Sequence, residues 1–455
     1  MKRLIDTIRN IWKIEDLRNR ILFTFGLVLI YRLGSYVMLP GIDAQVYKEV
    51  AAGGTGGLLG LINLFAGGGF SRASILALGI MPYISASIAM QLLAMAIPRF
   101  ARLQKEGESG RRKINQYTRY LTVFVTAFQA SAYFVYLKNL SDSGQNPDFI
   151  LASNSLFWFI CVVMLTAGTL FTMWMGEKIT DRGIGNGISF LIMVGIVASL
   201  PAALINEFSS RVNDVTAGGG LVSFVLELAF LVLIVMAAIL LVQGTRRIPV
   251  QYAKRIVGNK QYGGNRNYIP LKVNSAGVMP IIFAQALMFI PGTIQQLASA
   301  DGSQGWLITE LNDFTSLTYN IIYGVLIIVF TYFYTAITFN PTQMADEMKK
   351  NGGFIPGVKP GKKTAEFIDN ILSRITLPGS IFLALIAIMP VSTTAFGVGQ
   401  QFAQFFGGTS LLIMVGVILD TLQQVESHLL MRHYDGLMKS GRIKGRTSLP
   451  VGMQQ

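Results

Sequence analysis

Charge is scarce in this sequence. Asp, Glu, Lys and Arg make up 14% of its 455 residues, where a soluble chain carries about 25%. That excludes an ordinary water-soluble domain. Histidine is rarer still, with only His428 and His433; five residues apart, with no cysteine or carboxylate pattern around them, they form no metal site. The one cysteine, Cys161, falls inside an apolar run, which excludes an intramolecular disulfide frame and a thiolate metal centre. No HExxH helix and no G-x-S-x-G elbow occurs. Gly183-Ile184-Gly185-Asn186-Gly187 has the glycine density of a phosphate loop, but no Gly-Lys-Ser/Thr follows, so it reads as a tight turn into the next apolar stretch. The reading is of a chain with no cofactor, no bound nucleotide and no metal.

What is present is apolar length. Ten long stretches lie at 21–39, 74–97, 120–137, 156–175, 187–206, 221–243, 273–297, 317–339, 375–390 and 406–428, each near the roughly 20 residues that span a bilayer as helix. The basic residues sort around them. Segment 1–20 and every second gap (98–119, 176–186, 244–272, 340–374 and 429–455) hold 33 of the 38 Lys and Arg. Cytoplasmic loops keep such an excess, so the chain is expected to cross ten times with both ends cytoplasmic. The net charge of +14 follows from that rule without invoking nucleic acid, although basic loops also make docking surfaces for acidic partners. Segment 2–20 is charged throughout and no cleavage pattern follows it, so a removable signal peptide is not expected. Ionisable residues inside the stretches are few: Arg32, Glu227 and, near an end, Asp420. Proton-coupled transporters depend on such residues, and their scarcity weighs against that class.

An internal repeat adds architecture. Gly79-Ile80-Met81-Pro82-Tyr83-Ile84 and Gly277-Val278-Met279-Pro280-Ile281-Ile282 share Gly, Met, Pro and the last Ile, five stretches apart. An odd number of spans per half inverts the second copy, which gives a 5+5 inverted repeat with its working site near the midplane between the halves. Between the first two stretches, 58–66 is apolar but too short to cross, and Gly53–Gly57 and Gly67–Gly69 flank it with glycines. It reads either as a short re-entrant helix hinged by glycine or as an interfacial helix on the outer surface. Ile80 and Ile84 share a helix face, as do Ile188 and Ile192, and Ile282 is the repeat equivalent of Ile84. In so apolar a chain such pairs are ordinarily core or lipid-facing; spacing alone leaves a pore lining as one reading among these.

Longer blocks narrow the choice. Asn63-Leu64-Phe65, Ser71-Arg72-Ala73-Ser74-Ile75, Ala77 to Ile88, Lys105 to Lys113, Arg182 to Ser189, Tyr252-Ala253-Lys254-Arg255, Phe339-Asn340-Pro341 and Gly407 to Ile413 closely resemble the bacterial SecY family, in order and over nearly the whole chain. That resemblance implies an all-α integral membrane protein, ten transmembrane helices in an inverted 5+5 repeat around a central pore. It implies a protein-conducting channel that passes unfolded secretory chains and releases transmembrane segments sideways into lipid. The division expected is a cytoplasmic segment 1–20, a first half 21–206, a second half 207–435 and a cytoplasmic tail 436–455. The family's pore ring falls on Ile80, Ile84, Ile188, Ile192, Ile282 and Ile413. Its plug falls at about 59–72, with Leu61, Asn63, Phe65, Gly67, Gly68 and Gly69. Ser85, Gln91 and Gln129 are candidates for the lateral gate, or for ordinary helix–helix hydrogen bonds. Loops 244–272 and 340–374 match the docking loops, with Arg246, Arg247, Lys254, Arg255 and Lys359; the family commonly has Arg at the Lys359 position, and Lys lacks its planar donor fork. Implied partners are the small subunits SecE and SecG, the motor ATPase SecA, a translating ribosome, secretory precursor polypeptides and membrane lipids, in the bacterial cytoplasmic membrane. The competing reading is an inverted-repeat secondary transporter, which needs ion-coordinating groups at the midplane. An intramembrane enzyme lacks a nucleophile–base pair.

Overall fold

The structure, a computed structural model, describes residues 14–51, 58–142, 149–213, 220–252, 255–257, 260–262, 266–274, 276–298, 310–311 and 315–439, with Trp12 and Asp313. Helices dominate. In chain order they are α1 Glu15–Gly34, α2 Ala44–Ala51, α3 Leu58–Phe65, α4 Met81–Ala96, α5 Pro98–Lys105, α6 Glu108–Ser141, α7 Asn154–Arg182, α8 Gly187–Asn213, α9 Gly220–Gln243, α10 Met279–Ala298, α11 Leu317–Thr338, α12 Pro341–Lys350, α13 Lys362–Ala395, α14 Gln400–Ala403 and α15 Gly408–Lys439. Each of the ten apolar stretches holds one of them. Seven are long and apolar enough to cross a membrane, and α4 with α5 makes an eighth if that bent pair counts as one. The shorter α1 and α10 occupy the other two stretches, which is consistent with ten crossings.

Local chemistry sets the ends. The two repeat hexapeptides start helices the same way. Gly79 and Gly277 take φ of +53° and +65°, a region costly for any residue with a Cβ, and α4 and α10 begin two residues later with Pro in the first turn, where its missing N–H is harmless. The second apolar stretch begins at 74, yet helix starts only at Met81; residues 66–80 are an irregular, mostly buried run. Two elbows between helices share another device. Ile97 before Pro98 and Asn340 before Pro341 are extended, with ψ of 117° and 100°, because the residue before a proline is pushed off the helical region. The α4–α5 axis turns by 105° there. Asn340 caps α12 by accepting from the backbone N–H of Thr342 and Gln343 at 3.2 and 3.3 Å.

The all-α expectation holds for the spans, whereas loops 244–272 and 340–374 also contain short strands. Strand β1 Thr245–Tyr252 pairs antiparallel with β4 Arg266–Lys272, and β5 Gly353–Phe354 adds to its other edge at Tyr252↔Gly353; β2 Arg255–Val257 and β3 Lys260–Tyr262 make a separate hairpin. Alternation along β1 turns Ile248 and Val250 inward while Arg247 and Pro249 face out. Ile248, Val250 and Leu271 pack with Met348, Ile355, Ile368 and Leu372 in a small core of their own. A hydropathy pattern tuned to span-length runs does not register strands this short.

The ionisable residues singled out inside the stretches are accounted for. Asp420 is exposed. Arg32 stands in the last turn of α1. Glu227 pairs with Arg211 at 2.7 Å, and Arg211 also pairs with Glu207 at 3.0 Å, all three side chains at most 14% exposed. Arg211 donates further to the Gly397 carbonyl, and Glu207 accepts from the Gly399 N–H at 2.9 Å, so the group ties α8 and α9 to the loop before α14. Replacing Arg211 with Met is expected to cost about 3–5 kcal/mol, because two carboxylates then stay buried without their cation. Thermal unfolding in detergent measures this; an unchanged midpoint would show that the network carries no stability.

Candidate functional site: the apolar constriction and its covers

Six isoleucines come together from four helices. Ile80 and Ile84 stand at the start of α4, Ile188 and Ile192 at the start of α8, Ile282 on α10 and Ile413 on α15. Five are buried in one apolar cluster and Ile188 packs against it half-buried. The cluster therefore joins the first and second copies of the repeat. Asn186 sets the start of α8, its Oδ1 accepting from the N–H of Ile188 and Ser189 at 3.2 and 3.4 Å. Gly185 N–H donates to Gln424 Oε1 at 2.8 Å, which moors the glycine turn to α15. The reading of Gly183–Gly187 as a tight turn into the fifth stretch fits this geometry.

The short segment 58–73 lies inside the protein. Leu64 and Phe65 of α3 belong to the same apolar cluster as the isoleucines, and Phe65 meets Phe289 of α10 edge-on at 6.5 Å. Of the two readings, the re-entrant one fits, and the outer-surface one does not. The Asn63 carbonyl accepts from Gly68 N–H at 2.8 Å and its Oδ1 from Ser71 N–H at 2.9 Å. Gly67 and Gly68 take positive φ. Arg32 Nη1 donates to the Gly67 carbonyl at 2.9 Å, and Tyr133 Oη donates to the Phe70 carbonyl at 2.8 Å. Irregular backbone at this depth is viable because protein surrounds it and fills its hydrogen bonds. On the far side α8 comes very close: a Cβ on Gly195 would lie 2.8 Å from the Phe65 carbonyl oxygen and 3.2 Å from Gly67 N. The side chain of Leu61 and the glycines 53–57 lie outside the described residues, and Gly69 is buried.

The other expected sites are less uniform. Ser85 donates to the Met81 carbonyl at 3.2 Å and Gln91 to Ser87 Oγ at 3.4 Å, both within α4. Among the described residues no hydrogen bond joins Gln129 of α6 to either. The structure thus does not gather these three into one polar contact, although α4, α6 and α10 pack on one another. Missed from the sequence was Gln285 on α10, buried and donating to Tyr319 Oη at 3.5 Å; an amide inside an apolar stretch was the available signal. On β1, Arg246 and Arg247 are exposed, as is Lys359 between the positive-φ residues Gly357 and Gly361. Lys254 lies outside the described residues, and of Arg255 only the backbone, in β2, is described.

Known proteins resemble this chain over most of its length. The SecY family model matches residues 74–422. Protein translocase subunit SecY of Mycobacterium tuberculosis is 47% identical over 438 residues, covering 93% of this chain and 97% of that protein. Among solved structures, one described as showing that the plug domain of SecY stabilizes the closed state of the translocation channel and maintains a membrane seal matches with a TM-score of 0.60 at 17% identity, over 94% of this chain and 95% of that one. Sec61 in the canine ribosome–channel complex matches with a TM-score of 0.57 at 14% identity and the same coverage. With its family model spanning most of the residues and a near-full-length relative at such identity, the chain belongs to the SecY family.

Proposed function

We propose that this chain is the pore-forming subunit of a Sec-type protein translocase. It conducts unfolded secretory polypeptides across the bacterial cytoplasmic membrane and releases apolar segments sideways into lipid. The observation that carries the reading is the convergence of Ile80, Ile84, Ile188, Ile192, Ile282 and Ile413, from both halves, on one apolar cluster with α3 packed on it. A ring of apolar side chains holds back ions and water by dewetting, yet has no polar group that demands a particular cargo. In this reading α3 and residues 66–72 are the plug, and α4 with α6 parts from α10 with α11 to open toward lipid, Ser85, Gln91 and Gln129 lying on the first pair. The secondary-transporter reading is not favoured, and the chain does no chemistry of its own. Energy comes from a partner, the motor SecA or a translating ribosome, received on the cytoplasmic sheet with Arg246, Arg247, Lys254, Arg255 and Lys359. SecE and SecG complete the complex. Both termini face the cytoplasm, as the sorting of Lys and Arg supports. The direct test places a photo-crosslinking residue at 84 or 282 during ATP-driven import of a precursor. Adducts with the arrested precursor are expected at both positions; their absence at both, with import proceeding, would overturn the pore assignment.

The plug has its own test in Gly195→Leu. The new side chain has no room beside Phe65 and Gly67, so it displaces α3 while leaving α8 helical. Resting ion conductance in a planar bilayer is expected to rise several-fold, and export of precursors with defective signal sequences to increase. Wild-type conductance would show that the contact does not seal the channel.

A further inference from the structure

Away from the isoleucines, buried polar side chains gather at one place in the second half. Gln285 of α10, Tyr319, Asn320 and Tyr323 of α11, and Thr409 and Ser410 of α15 are each more than nine-tenths buried. They line a cavity of about 40 Å³. Some are satisfied by protein. Asn320 Nδ2 donates to the Ser316 carbonyl at 2.7 Å, and Ser410 Oγ donates to the carbonyls of Gly407, at 3.2 Å, and Gln404. Gln285 reaches Tyr319 only at 3.5 Å. Tyr323 Oη is fully buried, and its side-chain partner Thr409, beside it on the cavity wall, meets it at less than full hydrogen-bond geometry.

A buried hydroxyl with so poorly aligned a partner is uncommon in folded proteins. Apolar cavities stay dry, whereas a polar one above roughly 10–15 Å³ with two to four partners holds water. We propose that this cavity binds water bridging Tyr323 to Thr409 and Gln285, and that the hydrated cluster holds α10 in its closed position, with Gln285 as a positioning residue for the pore. The inference rests on the reading of Ile282 as a constriction residue. Gln285 follows Ile282 by three residues, about one helical turn. A directional bond there fixes the rotation of α10 where it presents Ile282. The other restraint in this turn is apolar: Phe283 meets Phe330 and Tyr334 of α11 edge-on at 6.0 and 5.6 Å. Such contacts tolerate sliding; hydrogen bonds do not. A bridging water can exchange one partner for another at little cost, so α10 can shift when the channel opens without stranding a polar group.

Two variants of the purified complex test it. In a dry cavity Tyr323→Phe removes a hydroxyl held only by its poorly aligned contact to Thr409, and the thermal midpoint stays or rises. In a hydrated one it breaks a bridge, and the midpoint falls; that fall is expected. Gln285→Leu, of nearly equal volume, is expected to fold and yet raise resting conductance and pass precursors with defective signal sequences. An unchanged or raised midpoint in Tyr323→Phe overturns the water site. Wild-type conductance in folded Gln285→Leu overturns the positioning role. If that variant stays sealed while crosslinks still form at 84 and 282, only the present inference fails and the pore reading stands.

Discussion

Changing Ile84 and Ile282 together to Ser opens a standing ion leak. Both side chains are buried in the shared cluster, one from each copy of the repeat. Each substitution replaces an apolar wall by a hydroxyl that can hold water in the constriction. A narrow apolar passage stays closed to ions because the water column in it is unstable; two hydroxyls facing it from opposite halves give the column fixed attachment points. Resting conductance is expected to rise at least tenfold, the equivalent of about 1.4 kcal/mol off the barrier. Loss of packing is the competing explanation, since trimming a buried Ile can cost about 2–5 kcal/mol. The Ile84→Val, Ile282→Val pair separates the two. It trims one methylene per site, keeps the surface apolar and should remain sealed. Wild-type conductance in the Ser pair, measured on single channels in a planar bilayer, would sink the constriction.

Reversing Arg246 and Arg247 to Glu abolishes motor-driven translocation with the fold intact. Both project from the exposed part of β1, while Ile248 and Val250 hold the strand to its core. Exposed substitutions away from buried groups usually change stability by no more than about 0.5 kcal/mol. The loop 244–272 carries no Asp or Glu, so the reversal puts the first acids into a basic field. Against an acidic partner, attraction becomes repulsion of several kcal/mol, which is a loss of binding by orders of magnitude. Topology should survive, because acids contribute little to orientation and the neighbouring basic loops remain. The measurement is ATP-dependent precursor import into vesicles beside direct binding of SecA. Normal values in both would assign this charge to topology alone.

Much of the fold is legible in the sequence because a bilayer imposes coarse rules. Span length, the sorting of Lys and Arg and the Gly-x-Met-Pro repeat each follow from strong constraints, and the repeat is matched by a shared positive φ at Gly79 and Gly277. The convergence of the isoleucines was not legible from spacing. Ile413 has no partner four residues away, and its place was found by resemblance alone. Two further features escaped for physical reasons. The sheet of loops 244–272 and 353–354 is built from short strands whose apolar positions number two or three, too few to stand out beside stretches of twenty. The Arg211 network joins residues far apart in sequence, and a lone Glu227 in an apolar run gave no sign of where its cation would come from. Ser85, Gln91 and Gln129 lie on the expected helices, and the hydrogen bonds of the first two stay within α4.

The strand pairing between β1 and β5, at Gln251↔Phe354 and Tyr252↔Gly353, joins loops 244–272 and 340–374 into a single handle. One loop feeds α10 and the other feeds α13, so a load applied at either is shared by both helices. The handle is closed at its base by Val273 N–H to the Gly244 carbonyl at 2.8 Å, and only six residues separate the end of β4 at Lys272 from Met279 at the head of α10. Slack in the linkage is therefore small. A tug or tilt imposed on the handle arrives at Ile282 as displacement rather than being lost in a floppy tether. On the reading of Ile282 as a constriction residue, work done by a partner that grips these loops would be delivered by leverage to the head of α10.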